Sequence, residues 1–156
     1  MGLADVLPRR TGLAPNAAGV RLPDVVILED DPDLAEIAAH LCRDIGLSAA
    51  TFRTAGALLA GFDSAPPRVV VLDWRLERDV GAAAFMALRH RFADVPIVCW
   101  TGMPAGSLPA MVAADSRTRI VRKADSLDEL EAAIRWACPT RPESVSQNRE
   151  EKGATR

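Results

Sequence analysis

Short apolar runs alternate with helix-like segments five times along the chain, and this alternation constrains the fold more than any other feature. The runs are continuously apolar, which is typical of parallel strands that are buried on both faces. Five successive strand–helix units predict an α/β domain with one five-stranded, doubly wound parallel sheet and helices on both faces. The strands are predicted at 24–30, 47–52, 68–73, 96–101 and 119–123.

The segments between these runs carry helix signals. Asp31 and Pro32 suit the cap and the first position of the first helix. Ser126 and Glu129 form a capping-box pattern before the last helix. The remaining helices are predicted over 54–62, 81–92 and 107–115. The segment 107–115 is expected to begin at Ser107, because a proline at position 109 is tolerated only in the first turn.

Composition limits the class of protein. The chain has 156 residues, of which 49 % are hydrophobic, so one domain with a substantial core is expected. The formal net charge is only −2, which predicts no broad basic surface for nucleic acid. No apolar run reaches the length of a transmembrane helix, and the N-terminus does not have the pattern of a signal peptide. We therefore expect neither a nucleic-acid partner nor a membrane partner.

The ends of the chain differ from its middle. Residues 1–22 read as a flexible leader and residues 139–156 as a flexible polar tail, which leaves 23–138 as the ordered domain. Three cysteines are scattered without CxxC spacing, which predicts reduced thiols and a cytoplasmic location. Cys42 and Cys99 lie in apolar runs and are predicted to be core residues.

Each of four predicted strands ends in a residue able to take part in chemistry. These residues are Glu29 and Asp30, then Asp73, Thr101 and Lys123. In a doubly wound sheet the functional crevice lies at the carboxyl ends of the strands, so they should share one rim. Three carboxylates repel one another unless a cation is present, and Mg²⁺ suits such a set. An acid, a divalent ion, a lysine and a hydroxyl together predict a site for taking up a phosphoryl group.

At this point the chain resembles a known family. The stretches "VVILEDDPDLAEI", "VVVLDWRLERDVG", "PIVCWTG" and "IVRKADSLDEL" are similar to the motifs of the receiver domain of bacterial two-component response regulators, and together they cover 23–138. The resemblance implies the flavodoxin-like receiver fold. It also implies that Asp73 is the phosphoacceptor.

The resemblance implies a metal site as well. Asp30 and Asp73 match the acids that bind Mg²⁺ directly, and Arg75 matches the position whose backbone carbonyl is a ligand. Glu29 matches an acid that acts through water. Thr101 would then be the switch hydroxyl.

Two glycines and the lysine complete the matches. Lys123 corresponds to the lysine that pairs with the phosphoryl group. Gly102 matches the small residue that leaves room for that group. Gly81 matches the glycine that closes the loop after the third strand.

The chain departs from the family pattern at several positions. Ala124 replaces the proline that usually follows the lysine in a cis peptide, Glu77 stands where the loop usually has a proline, and Ile120 replaces an aromatic residue. Arg75 and Met103 stand two residues beyond Asp73 and Thr101. We expect their long side chains to shield the phosphoryl group and to slow its loss.

The resemblance implies a stand-alone phosphorylation-dependent switch, which is not an enzyme beyond its own phosphoryl transfer. A sensor histidine kinase or a phosphotransfer protein would phosphorylate it. A downstream protein would bind the face formed by the fourth helix, fifth strand and fifth helix, where Ile120 and Arg122 point outward; homodimer formation stays open.

Two alternatives remain. One is a degenerate receiver that acts as a phosphorylation-independent binding or scaffold module. The other is a small phosphatase with an aspartate nucleophile, which is disfavoured because Arg75 stands where a second acid would be needed.

Overall fold

The computed structural model describes residues 14–15, 21–62, 65–75, 81–104 and 106–139. Most of the predicted leader, and all of the predicted tail except its first residue, therefore lie outside the described residues. Ahead of the main sheet, Ala14–Pro15 pairs antiparallel with Arg21–Leu22.

Five parallel strands form one sheet, as the sequence predicts. They are β1 (Val25–Leu28), β2 (Ala49–Phe52), β3 (Val69–Leu72), β4 (Ile97–Thr101) and β5 (Thr118–Arg122). Their order in the sheet is β2-β1-β3-β4-β5. The strand order reverses at β1, so the chain leaves β1 and β3 in opposite directions and a crevice opens beyond their carboxyl ends.

Helices cover both faces of the sheet. They are α1 (Pro32–Asp44), α2 (Ala55–Gly61), α3 (Gly81–Arg91), α4 (Ala110–Ala113) and α5 (Leu127–Ala137). α1 and α5 pack on one face, and α2, α3 and α4 pack on the other. None of the helices in the described part of the chain has the length and apolar character to cross a bilayer.

The apolar residues of the strands divide between these two faces. Side chains alternate along each strand, so neighbouring residues enter different cores. Val25 and Ile27 pack against α1 and α5, whereas Val26 and Leu28 pack against α2 and α3. This explains why the strands read as continuous apolar runs.

The cysteines that the sequence assigns to the core are buried there. Cys42 lies on α1 and Cys99 on β4, and neither is exposed to solvent. Burial raises the pKa of both thiols to about 12, so both are protonated at neutral pH.

The start of α1 confirms the predicted cap. Asp31 has extended backbone angles, and its Oδ1 accepts hydrogen bonds from the N–H groups of Asp33 and Leu34. Pro32 occupies the first helical position, where its missing N–H costs nothing. This cap directs the chain away from the sheet immediately after Glu29 and Asp30.

Two helix predictions are wrong in detail. The fourth helix begins at Ala110 rather than Ser107, because Ser107 closes a turn in which its N–H and hydroxyl both donate to the Pro104 carbonyl. Pro109 is extended and precedes the helix. At α5, Ser126 is the N-cap residue, but its side chain makes no capping bond; the Glu129 N–H donates to the Ser126 carbonyl instead.

An arginine anchors the end of the short helix α4. Arg89 forms an ion pair with Asp115, with 2.6 Å between Nε and Oδ2, and donates to the Val95 carbonyl and the Thr118 hydroxyl. Burial alone would raise the pKa of Asp115, but the hydrogen bond from Arg89 lowers it. Arg89 thus ties the end of α3 to the start of β5.

Candidate functional site

Three carboxylates meet at the carboxyl ends of β1 and β3. Glu29 and Asp30 follow β1, and Asp73 follows β3, where its N–H donates to the Leu28 carbonyl. One ligand oxygen from each acid lies within 4.8 Å of the other two. Glu29 is 2 % exposed and Asp73 is 4 % exposed. An all-carboxylate set of this kind fits a hard divalent cation such as Mg²⁺.

The amine of Lys123 enters this acid cluster from the end of β5. Its Nζ lies 2.6 Å from Oε2 of Glu29 and 3.3 Å from Oδ2 of Asp73. Lys123 is itself only 18 % exposed, so the ion pairs are poorly screened by water. A buried acid is costly unless it is paired, and Lys123 provides that pairing.

The buried position of Glu29 changes its pKa. Burial raises its pKa to about 7, and the neighbouring charge of Asp73 adds to this effect. The hydrogen bonds from Lys123 and from the Asp31 N–H act in the opposite direction. Both carboxylate oxygens therefore already accept a bond from the protein, although each has a lone pair left for a water molecule.

Thr101 ends β4 on the other side of the crevice and is fully buried. Its Oγ1 accepts a hydrogen bond of 3.0 Å from the Met103 N–H. Asp73 makes the same kind of turn, because its Oδ1 accepts a 3.1 Å bond from the Arg75 N–H. Both side chains are thus held by the backbone two residues further on. Accepting this bond does not use the hydroxyl hydrogen of Thr101.

The part of the chain that carries these acids, the lysine and the hydroxyl matches one family. The family profile described as "Response regulator receiver domain" covers residues 25–135. The chain belongs to the response regulator receiver domain family. Such domains act in phosphorylation-dependent signalling in two-component systems, where they interact with histidine kinases or phosphotransfer proteins.

Individual relatives agree with this assignment. The receiver domain is 31 % identical over 96 residues to the nitrogen assimilation regulatory protein NtrX of Azorhizobium caulinodans, a match that covers 60 % of this chain and 21 % of that protein. This chain therefore spans about a fifth of the length of that relative.

Solved structures show the same fold. The receiver domain of NtrX from Brucella abortus superposes with a TM-score of 0.64 at 25 % identity, covering 76 % of this chain and all of that one. The chemotaxis protein CheY4 of Vibrio cholerae superposes with a TM-score of 0.64 at 18 % identity, and the match covers 72 % of this chain and 96 % of that one. At this identity the likeness shows the fold alone.

The receiver domain keeps its lysine in place without the usual proline. No cis peptide bond occurs among the described residues, so the Lys123–Ala124 peptide is trans. Lys123 nevertheless reaches Glu29 and Asp73. Replacement of the proline by Ala124 therefore does not displace the amine from the site.

Of the two glycines singled out by the resemblance, only Gly81 is required by its neighbours. A Cβ added to Gly81 would clash with the Trp74 carbonyl oxygen, and this close approach sets the distance between the start of α3 and the residue that follows Asp73. A Cβ on Gly102 would meet no atom within 4 Å, so that position is open.

The two residues expected to shield the site contact each other. Nε of Arg75 lies 2.9 Å from the Met103 sulfur, and Met103 packs partly against the core beneath α2 and α3. The sequence had placed both beside the same group but had not indicated this contact. Glu77 lies outside the described residues.

One neighbour of Lys123 was missed by sequence reasoning. Lys123 Nζ lies 5.2 Å from the ring centroid of Trp100, the residue before Thr101 in β4. A tryptophan inside a buried strand reads as packing. Nothing in the local sequence indicates that a lysine 23 positions later approaches its ring.

Proposed function

We propose that this receiver domain accepts a phosphoryl group on Asp73 and that the modification changes its binding of a protein partner. The observation that carries the proposal is the position of Asp73, buried with a lysine amine 3.3 Å from one carboxylate oxygen and with Glu29 and Asp30 alongside. Such a carboxylate is held ready to react while its charge is compensated.

The proposed donor is a phosphohistidine on a histidine kinase or a phosphotransfer protein. A carboxylate oxygen of Asp73 attacks the phosphorus, an O–P bond forms, and the N–P bond to the histidine breaks. Lys123 then pairs with a phosphoryl oxygen through a charge-assisted hydrogen bond. The Thr101 hydroxyl donates its hydrogen to another.

The acid cluster is proposed to hold Mg²⁺ during this step. Asp30 and Asp73 would be direct ligands together with the backbone carbonyl of Arg75, and Glu29 would contribute through water. The bound ion would offset the negative charges of the acids and of the phosphoryl oxygens.

Strand pairing offers a route from the site to the surface. Thr101 is in register with Arg122 on β5, and the Thr101 carbonyl accepts a 2.7 Å bond from the Lys123 N–H. Ile120 is 40 % exposed, and Arg122 is exposed and paired with Asp125. Movement of Thr101 toward a phosphoryl group would thus shift the exposed side of β5, which we propose contacts the downstream partner together with α4 and α5.

Intact-mass measurement after incubation with acetyl phosphate and Mg²⁺ tests the proposal. The wild type should gain one phosphoryl group, Asp73→Asn should gain none, and Asp31→Asn should behave as the wild type because asparagine also caps α1. Modification that persists in Asp73→Asn would refute the assignment. An unmodified wild type would favour a phosphorylation-independent binding module, and continuous release of phosphate from added esters would favour a phosphatase.

A further inference from the structure

Lys123 carries its charge on a long side chain, and something must hold that charge at the site. A lysine ammonium is a point charge on a flexible four-carbon stem, so its position depends on the groups around it. The backbone that follows is an ordinary trans peptide to Ala124. Glu29 and Asp73 attract the amine, but both carboxylates belong to the cluster that we propose binds a cation. A cation bound there would compete with Lys123 for the same oxygens.

The register of the sheet places an indole ring beside the amine. Trp100 pairs with Val121, and alternation along β5 puts Val121 and Lys123 on the same face. Trp100 is 4 % exposed and packs in the core formed with α1 and α5. The 5.2 Å between Lys123 Nζ and the ring centroid is within the range of a cation–π interaction, which is stronger when both groups are shielded from water.

We propose that Trp100 is a positioning residue for Lys123, holding its ammonium at the acid cluster through the face of the indole ring. The inference rests on the proposed function for its kinetic consequence, although the contact itself does not. The π face is not a metal ligand, so a cation bound to the carboxylates leaves this contact intact. Trp100 thereby keeps the amine available for the phosphoryl group when its acidic partners are occupied.

Nuclear magnetic resonance tests the contact without any phosphorylation. The chain contains two lysines, Lys123 and Lys152, so protein labelled with ¹³C-lysine gives two sets of side-chain signals. Protons above an aromatic face are shifted upfield, so the Lys123 εCH₂ signal should lie upfield of that of Lys152 in metal-free and in Mg²⁺-loaded protein. It should move toward the Lys152 position in Trp100→Leu. A Lys123 signal that is not displaced in the wild type, or that is unchanged in the variant, overturns the proposal.

A second measurement separates positioning from packing. Nonsense suppression at codon 100 introduces fluorinated tryptophans, which weaken the π face step by step with little change in ring size. The rate of Asp73 phosphorylation by acetyl phosphate should fall with each added fluorine, by about threefold to tenfold for the fully substituted benzo ring. In the Lys123→Ala background the phosphorylation rate should no longer depend on the number of fluorines. Melting temperatures should stay constant along the series, which guards against a folding defect such as Trp100→Leu could cause.

Trp136 provides the matched control. Its ring lies 4.4 Å from the guanidinium of Arg119, so it makes the same type of interaction away from the acid cluster. Fluorination at Trp136 should leave the rate unchanged. If the wild type is phosphorylated but fluorination at Trp100 does not change the phosphorylation rate, the inference fails and the proposed function stands. If the wild type is not phosphorylated at all, the proposed function fails and the Lys123 signal alone decides whether Trp100 holds the amine.

Discussion

The raised pKa of Glu29 predicts that this domain loses stability as the pH rises toward neutrality. The unfolded carboxyl titrates near 4.5, whereas burial and the neighbouring Asp73 raise the native pKa to about 7. Below 4.5 both states bind the proton, and between 4.5 and 7 only the native state does. The contribution of Glu29 to the unfolding free energy should therefore be largest below pH 4.5 and fall through this window by at most about 3–4 kcal/mol, at about 1.4 kcal/mol per pH unit.

Replacement of Glu29 by glutamine removes this titration while keeping the shape of the side chain. Glutamine has one acceptor oxygen, so it loses either the bond from Lys123 or the bond from the Asp31 N–H at every pH. The test is therefore the slope of the unfolding free energy against pH, and not the absolute stability. Urea unfolding in EDTA from pH 5 to pH 8 should show a smaller decline for Glu29→Gln than for the wild type. The exposed Glu36→Gln should keep the wild-type slope.

Equal slopes in the wild type and Glu29→Gln would refute this account of the site. A second arm uses the metal, because Mg²⁺ binds the ionised acids and stabilises only the native state. Added Mg²⁺ should therefore raise the unfolding free energy more at pH 8 than at pH 5.

Two further predictions concern the loops around Asp73. Gly81→Ala should lower the unfolding free energy by about 1–3 kcal/mol, because its Cβ would meet the Trp74 backbone. Gly56→Ala is the control and should be neutral or stabilising, because a Cβ has open space at that position of α2. Equal effects of the two substitutions in thermal unfolding would contradict the role of the close approach. If the Arg75–Met103 contact shields the phosphoryl group, Arg75→Ala or Met103→Ala should speed the loss of that group by about fivefold, the equivalent of one hydrogen bond of about 1 kcal/mol. Intact-mass measurement over time with excess Mg²⁺ gives the decay rate. A rate that is unchanged or slower in both variants would end the shielding hypothesis.

Most of the architecture could be predicted because it depends on local patterns. Each β-strand is a continuous apolar run, and the strands found lie within the predicted runs or start one residue before them. Asp31 and Pro32 mark the start of α1 through bonds that span only two or three residues. The fourth helix was misplaced because the turn that ends with Ser107 depends on backbone bonds to Pro104, which no propensity reveals.

The candidate site was predictable for a different reason. In a parallel sheet all strands point the same way, so residues at strand ends must share one edge whatever the loops do. Glu29, Asp30 and Asp73 were therefore expected together, and the structure brings them together. Their roles in phosphoryl transfer remain predictions, because position alone does not show reactivity.

The amino-acid sequence by itself determined the five strand–helix units, the identity of the residues at the strand ends and the α1 cap, because each depends on neighbours within a few positions. Only the tertiary structure decided which charges meet. Lys123 and Glu29 are 94 residues apart in the sequence, yet Lys123 Nζ lies 2.6 Å from a Glu29 carboxylate oxygen. The strand order makes this contact possible, because β3 and β4 alone separate the strands β1 and β5 that precede the two residues. The same holds for the Trp100 ring beside that amine and the Met103 sulfur beside Arg75. Contacts between side chains from different strands depend on register and on side-chain direction, which are settled only when the whole sheet is packed.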